Sequence, residues 1–282
     1  MATLYLVATP IGNLEDITLR ALRVLREVHL IAAEDTRRTR QLLSHYQIAT
    51  PLTSYHEHNR RQALPRVLAA LQKGDVALVS DAGTPLINDP GAALVQAALA
   101  AGHRVVPIPG PNAALTALMA SALPADAFLY LGYLPRKKGE RRALLQQVAD
   151  LPYTLLFLET PHRLRAALDD LAAVFGPQRP LTVARELTKL HETFLRGTVA
   201  DAQAHFAEHD PRGEFVLVVG GSPPSPTKWP PAALEGAIRE GLQAGENPSA
   251  LARRLAAASG WKRRDVYARI VQAAHPPSAP EP

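Results

Sequence analysis

Apolar residues fall into short solid runs at positions 4–8, 30–33, 76–80 and 105–108, separated by stretches in which they recur every three or four positions. Solid runs between helical patterns are what a parallel sheet covered on both faces requires, because neither face of such a strand meets water. The pattern predicts an α/β layer structure. Ile17, Ala21, Leu22, Leu25 and Val28 mark one helix with Asp16 as its expected N-cap; Asp89-Pro90 marks the start of another, which Gly102 is placed to end. The alternation resumes at 128–131, 155–158, 181–184 and 215–219, with a helical pattern between Arg163 and Phe175. Two α/β domains are therefore expected, at 1–121 and 122–221. A Pro-rich linker over 222–231 follows, then a small helical tail over 232–275. Within the tail, 232–243, 250–258 and 264–274 read as three helices with Gly260 in the last turn. Helix-turn-helix spacing results, and both a nucleic-acid-binding tail and plain helical packing satisfy it. Residues 276–282 are expected to be disordered.

A chain of 282 residues suffices for two domains and a tail. No apolar run approaches the roughly 20 residues of a membrane span. Met1-Ala2-Thr3 leads straight into the first apolar run without a basic leader, so the expectation is a soluble, cytoplasmic protein with no targeting segment. The absence of cysteine excludes disulfides, thiol nucleophiles and Cys-ligated metals. A net charge of +5 suits a polyanionic partner without requiring one.

The chemistry gathers in loops. Three runs end in small-residue segments: Ala8-Thr9-Pro10-Ile11-Gly12-Asn13-Leu14, Ser80-Asp81-Ala82-Gly83-Thr84-Pro85 and Pro107-Ile108-Pro109-Gly110-Pro111-Asn112-Ala113. In an open parallel sheet the carboxyl ends of the strands line one crevice, so the three loops are expected to converge on one ligand. Small residues expose main-chain groups, which can read an adenine edge or an amino-acid tail. No G-x-G-x-x-G follows the first run, which argues against a nicotinamide-dependent oxidoreductase. His56, Glu57 and His58 alternate faces if extended, so no metal site is expected there.

These loops, with Ala33-Glu34-Asp35-Thr36-Arg37, Ser54-Tyr55-His56-Glu57-His58-Asn59, Pro161-His162-Arg163 and Ala184-Arg185-Glu186-Leu187-Thr188-Lys189, resemble in order the ribosomal RNA small-subunit methyltransferases of the tetrapyrrole methylase superfamily, over about residues 3–221. The resemblance implies two α/β domains of the tetrapyrrole methylase type with a cleft between them, usually in a homodimer. It implies S-adenosylmethionine in that cleft, and 2′-O-methylation of a cytidine in 16S ribosomal RNA, as free RNA or within the 30S subunit. Matching motifs assign cofactor contacts to Pro10, Asp81, Ala82, Gly83, Thr84, Ile87, Asn112 and Ala113, and from the second domain to Glu159, Thr160 and Leu187. The sequence departs from the family pattern at Asn112 and Asn88, where serine is commoner.

A ribose hydroxyl is a weak nucleophile, so a base or a stabilising cation is expected beside it. Asp35, His56, Glu57 and the pair Glu186 and Lys189 are the candidates. Asp35 with Arg37 reads equally as a helix start or as a cleft carboxylate beside a phosphate-holding arginine. Arg136, Lys137, Lys138, Arg141 and Arg142 read either as a solvated helix start or as a phosphate-binding cluster. Methylation of a tetrapyrrole or other small acceptor, and a non-catalytic RNA-binding protein, are the competing readings.

Overall fold

The computed structural model describes residues 1–223 and 228–274; part of the expected linker, and all of the expected disordered end at 276–282, lie outside the described residues. The chain divides into two compact units, Met1–Gly221 and Ser222–Pro282.

The first unit holds two five-stranded sheets. Its first half runs β1 (Thr3–Val7), α1 (Leu19–Glu27), β2 (Leu30–Ala33), α2 (Thr36–His45), β3 (Leu52–Ser54), α3 (Arg60–Leu71), β4 (Val76–Val79), α4 (Ala92–Ala100), β5 (Arg104–Ile108) and α5 (Ala113–Met119). The strand order is β3-β2-β4-β1-β5, with every neighbour parallel. Solid apolar runs are explained by burial on both faces. Val7, Ile31 and Val79 pack on one side with Leu25 of α1 and Leu42 of α2, while Leu4 and Leu78 pack on the other with Val67 of α3 and Leu94 of α4.

Two expected helix starts move. Asp16 belongs to a 3-10 turn, Leu14–Asp16, and Thr18 caps α1 instead, its hydroxyl accepting from the Ala21 N–H at 3.1 Å. Asp89-Pro90 lies in a loop, because Leu86, Asn88 and Gly91 take φ of 72°, 68° and 148° and delay α4 to Ala92. Gly102, at φ 78°, does follow the end of α4, donating to the Leu99 carbonyl. The half-buried edge strand β3 carries too few residues to leave a pattern.

The second half runs β6 (Phe128–Tyr133), α6 (Lys138–Val148), β7 (Thr154–Glu159), α7 (Pro161–Phe175), β8 (Pro180–Arg185), β9 (Thr193–Thr198), α8 (Val199–Glu208) and β10 (Phe215–Val219), in the order β6-β7-β10-β8-β9. Only β6 and β7 pair in parallel; β10 is antiparallel to β7 and β8, and β9 to β8. One face buries Phe157, Val183 and Leu217 under α6, α7 and α8. The other buries Leu156, Val216 and Val218 against Ala114, Ala117 and Leu118 of α5. A helix of the first half thus supplies the cover for the second sheet, so the two halves share a core. The exposed edge strand β9, with Arg196 in its middle, escaped the apolar pattern.

Arg141 departs from its expected role. Expected to meet a phosphate, it is buried, and its Nε and Nη2 lie 2.7 and 2.5 Å from Asp170 Oδ2 of α7. Arg142 reaches Asp170 Oδ1 at 2.6 Å. Amphipathic spacing turns position 141 of α6 toward α7, where a guanidinium survives only if paired. Burial pushes the Asp170 carboxyl up, but Arg142 and Arg141 more than reverse it and hold it below the ordinary carboxylate range.

The second unit packs α9 (Pro231–Gln243), α10 (Pro248–Ser259) and α11 (Arg263–Ala274) around Leu234, Ile238, Leu251, Leu255, Val266 and Ile270. Gly260, at φ 68°, makes the turn between α10 and α11. Trp261 stacks under Lys228 Nζ, 3.9 Å from its centroid, and the Arg269 guanidinium, 4.6 Å away.

Replacing Asp170 with Ala strands Arg141 in the interior and is expected to cost about 3–5 kcal/mol of folding stability in urea denaturation. The intact ion pair contributes above the ordinary carboxylate pKa and is lost as pH falls below it. The substitution should flatten the acid limb of the stability curve.

Candidate functional site

In the order β3-β2-β4-β1-β5, β1 lies between β4 and β5, all parallel, so the loops after these three strands leave the same edge of the sheet side by side. There the loops after β1 and β4 are joined by two main-chain bonds, Thr9 N–H to Gly83 O and Gly83 N–H to Thr9 O, both 2.9 Å. Gly83 makes this bridge at φ 78°, a conformation that favours glycine. The loop after β5 closes on the same point. A Cβ at Gly110 would sit 2.9 Å from that of Ala8, so only glycine allows the approach. Thr84 donates its hydroxyl to the Pro111 carbonyl at 3.1 Å and accepts from Asn112 Nδ2 at 3.2 Å. Asn112 Oδ1 also accepts from the Leu115 N–H and caps α5, so asparagine at this position both caps the helix and joins the loops.

Acidic groups rim this edge. Glu34 accepts from the Asp81 N–H at 3.3 Å, and Asp81 accepts from the Asp35 N–H at 2.8 Å. Arg38 lies 3.5 Å from the other Asp81 oxygen. Asp35 caps α2 and is gripped by the Arg37 guanidinium at 2.8 Å and the Arg37 N–H at 2.8 Å, which hold its carboxyl down at about 2. Asp89 is driven the other way. Burial pushes it up to about 6 against the opposing Ser80 hydroxyl, with Glu34 and Asp81 adding repulsion. Asn88 Nδ2 donates to the Tyr130 hydroxyl of β6 at 2.9 Å, so the Asp89 loop touches the second half.

The second half reaches over through residues 186–189, where Glu186 and Thr188 take φ of 50° and 65°. Lys189 Nζ lies 2.9 Å from both Glu186 and Glu214, and these bonds outweigh burial to raise its pKa. Lys189 in turn holds Glu186 below its ordinary value. The lysine stem lies on Gly12, where any Cβ would collide with Lys189 Cγ. A cavity of about 380 Å³ results, lined by Pro10, Asp81, Ala82, Arg38, Lys189 and Glu214, among others. A recess of about 50 Å³ beside it is lined by Ile11, Ala113, Leu187 and Val216. The first is of a size suited to a small organic ligand. A larger hollow, about 590 Å³, lies between β8, β9 and α8 beside His205 and His209, and none of the three loops reaches it.

Pro10, Asp81, Ala82, Gly83, Thr84, Asn112, Ala113, Leu187, Glu186 and Lys189 are therefore neighbours, with Ile87 at 44% exposure in the loop leading to Asp89. Other expected residues are engaged elsewhere. Glu159 is buried, accepting from the Thr160 N–H at 2.7 Å and from Arg163 at 3.1 Å. His56 Nδ1 accepts from the Asn59 N–H in a turn, and Glu57 pairs with Arg60. Arg37 is turned to solvent apart from its bond to Asp35. Arg136 and Lys138 are exposed, and Lys137 pairs with Glu140 at 3.0 Å. Sequence reasoning missed Arg38 and Glu214 in the cavity lining, and Asp89, which hydrogen-bonds the lining residue Ser80. The double-turn loop before Gly91 carried a usable signal for Asp89; Glu214, brought in by β10, carried none. Among the described residues no group of three metal-ligating side chains occurs, and no helix is long and apolar enough to cross a membrane.

Residues 3–203 match the family model of the tetrapyrrole (corrin/porphyrin) methylases. The chain is 49% identical over 272 residues to a ribosomal RNA small subunit methyltransferase I of Synechocystis, covering 95% of this chain and 96% of that protein. It is 51% identical over 234 residues to the protein of the same name from Escherichia coli O157:H7, covering 82% of each. Among solved structures, uroporphyrin-III C-methyl transferase from Thermus thermophilus, complexed with S-adenyl homocysteine, superposes with a TM-score of 0.55 at 20% identity, covering 78% of this chain and 97% of that one.

Carboxyl titration followed by NMR should find Asp89 near 6 and Asp35 near 2. Because the folded Asp89 binds its proton more tightly than the unfolded one, its contribution to stability is present below the ordinary value near 3.8 and lost as pH rises through 6. Asp89→Asn should remove that decline.

Proposed function

Because the chain belongs to the tetrapyrrole (corrin/porphyrin) methylase family, we propose that it transfers the methyl group of S-adenosylmethionine to small-subunit ribosomal RNA, at the 2′-hydroxyl of a cytidine in 16S RNA. The observation that carries this reading is the gathering of the loops after β1, β4 and β5 at one edge of the sheet. Relatives named as ribosomal RNA methyltransferases that cover nearly the whole chain support the choice of acceptor. The enzyme acts in the cytoplasm on 16S RNA or the 30S subunit, as a homodimer.

The residues present suit the donor. Pro10, Ala82, Gly83, Thr84, Asn112 and Ala113 offer small side chains and main-chain groups, and the Asp81 carboxylate in the lining, with Glu34 bonded to the Asp81 N–H, complements a cation. When bound, S-adenosylmethionine would supply an electrophilic sulfonium methyl, whose transfer to an oxygen forms an O–C bond as the C–S bond breaks and a neutral thioether leaves. The protein's part is to align that oxygen, exclude water and accept the hydroxyl proton. Of the carboxylates near the site, Asp35 and Glu186 are held at low pKa by Arg37 and Lys189 and are weak bases. Their role, with Lys189 and His56, is to hold the loops and the acceptor strand in place. Asp89, near 6, reaches the cavity lining through its hydrogen bond with Ser80 and is the proton acceptor in this reading. Arg37, Arg136, Lys137 and Lys138 are exposed and available to RNA phosphates; Arg142 divides its charge with Asp170.

Labelled S-adenosylmethionine with 30S particles should label one cytidine ribose in 16S RNA; absence of label in RNA, or label on a base, overturns the reading. Ala82→Arg, at an exposed position lining the cavity, should weaken donor binding at least tenfold by calorimetry without unfolding the chain. With wild-type enzyme, kcat/KM should rise with pH through about 6 to a plateau, and Asp89→Asn should lower that plateau about 100-fold and abolish the rise.

A further inference from the structure

Residues 228–274 hold eight Lys or Arg against four Asp or Glu, so most of the chain's net charge of +5 sits in the helical unit. Three of the four acids are already engaged inside it: Glu235 with Arg269 at 3.0 Å, Glu246 with Arg254 at 2.6 Å, and Asp265 with Arg264 at 3.4 Å. Of the cations that no acid pairs, Lys262, Arg263 and Arg253 stand on or beside α10 and α11, with Arg264, which shares its charge with Asp265, next to them. Lys262, Arg263 and Arg264 stand consecutively at the entry to α11, all exposed. Arg263 Nη2 reaches Ser249 Oγ at 3.1 Å, which draws the entries of α10 and α11 together. Arg253, one helical turn beyond Ser249 on α10, is exposed and makes no ion pair among the described residues. Tyr267, 45% exposed, lies one turn beyond Arg263 and Arg264 on α11. None of these side chains belongs to the core of Leu251, Leu255, Val266 and Ile270, so packing does not account for them.

We infer that this face of the α10–α11 pair is an RNA-anchoring surface, holding backbone phosphates of structured ribosomal RNA through Lys262, Arg263, Arg264 and Arg253, with Tyr267 offering a ring to an adjacent sugar or base. The inference rests on the reading that RNA is the methyl acceptor. Guanidiniums match phosphate oxygens in a fork, and neutralising phosphates releases counterions, so such a face gives affinity that is independent of sequence and sensitive to salt. A small acceptor needs no such anchor. The surface contributes to holding the substrate and not to the methyl transfer.

The test uses the full chain with Lys262→Gln, Arg263→Gln and Arg264→Gln together, and purified 30S particles as the probe. The KM for 30S should rise about tenfold with kcat at saturation unchanged. The slope of log affinity against log salt should become shallower by about 2, at roughly 0.7–0.9 for each phosphate no longer neutralised. Donor affinity by calorimetry should not move. Arg253→Gln, on the other helix, should reduce the slope by about 1 and provides a second, independent reading. Exchanging Lys262→Arg with Arg263→Lys and Arg264→Lys should restore most of the affinity. If wild type methylates 30S and both variant sets leave KM and salt slope unchanged, the anchoring surface is overturned and the enzymatic reading stands. If wild type binds donor but neither binds nor methylates RNA, the enzymatic reading falls and takes this inference with it.

Discussion

The structure depends on a pair of main-chain hydrogen bonds between loops that lie more than seventy residues apart. Thr9 and Gly83 exchange N–H and carbonyl at the carboxyl ends of the adjacent parallel strands β1 and β4. The carboxyl ends of parallel strands line a crevice. Here the crevice has been tightened by removing side chains: Gly83 at positive φ, Gly110 against Ala8, Gly12 under Lys189. Binding then falls to main-chain groups, whose positions are fixed by the sheet beneath them.

The second sheet owes its place to the same economy of parts. α5 begins at Asn112, which closes the loop after β5 onto Thr84, and its apolar face then covers Leu156, Val216 and Val218 of the second sheet. One short helix both finishes the first wall and docks the second. The strained turn that carries Glu186, Thr188 and Lys189 is thereby held over Gly12. Positive φ at two non-glycine residues costs energy, and such strain persists where the surroundings over-determine it, as they do beside a working site. Electrostatics sorts the neighbouring carboxylates: Arg37 holds Asp35 and Lys189 holds Glu186 below the ordinary range, while burial, with repulsion from Glu34 and Asp81, raises Asp89.

Much of this was legible in the chain. Strands buried on both faces announced themselves as solid apolar runs, and small-residue loops after them pointed to one edge, because parallel topology leaves no other place for those loops to go. What was not legible follows from physics that sequence spacing does not carry. The edge strands β3 and β9 are too short or too polar to show a period. Arg141 and Lys138 look alike in a basic run, yet one faces Asp170 in the interior and the other faces water. Asp16 and Thr18 are both good caps, and only the 3-10 turn decides between them. Asp89 reads as a helix start until the loop's backbone is known. Glu214 enters the site from the far end of the unit by way of β10, a neighbour relation no local pattern encodes.

The claim on which the account turns is that the three loops act as one binding surface. Amide hydrogen exchange, measured with and without saturating S-adenosylmethionine, reads each loop separately. The account predicts that amides in residues 9–12, 82–84 and 112–113 gain protection together, with a common dependence on ligand concentration. Protection confined to one loop, or appearing instead around the hollow beside His205 and His209, would contradict it.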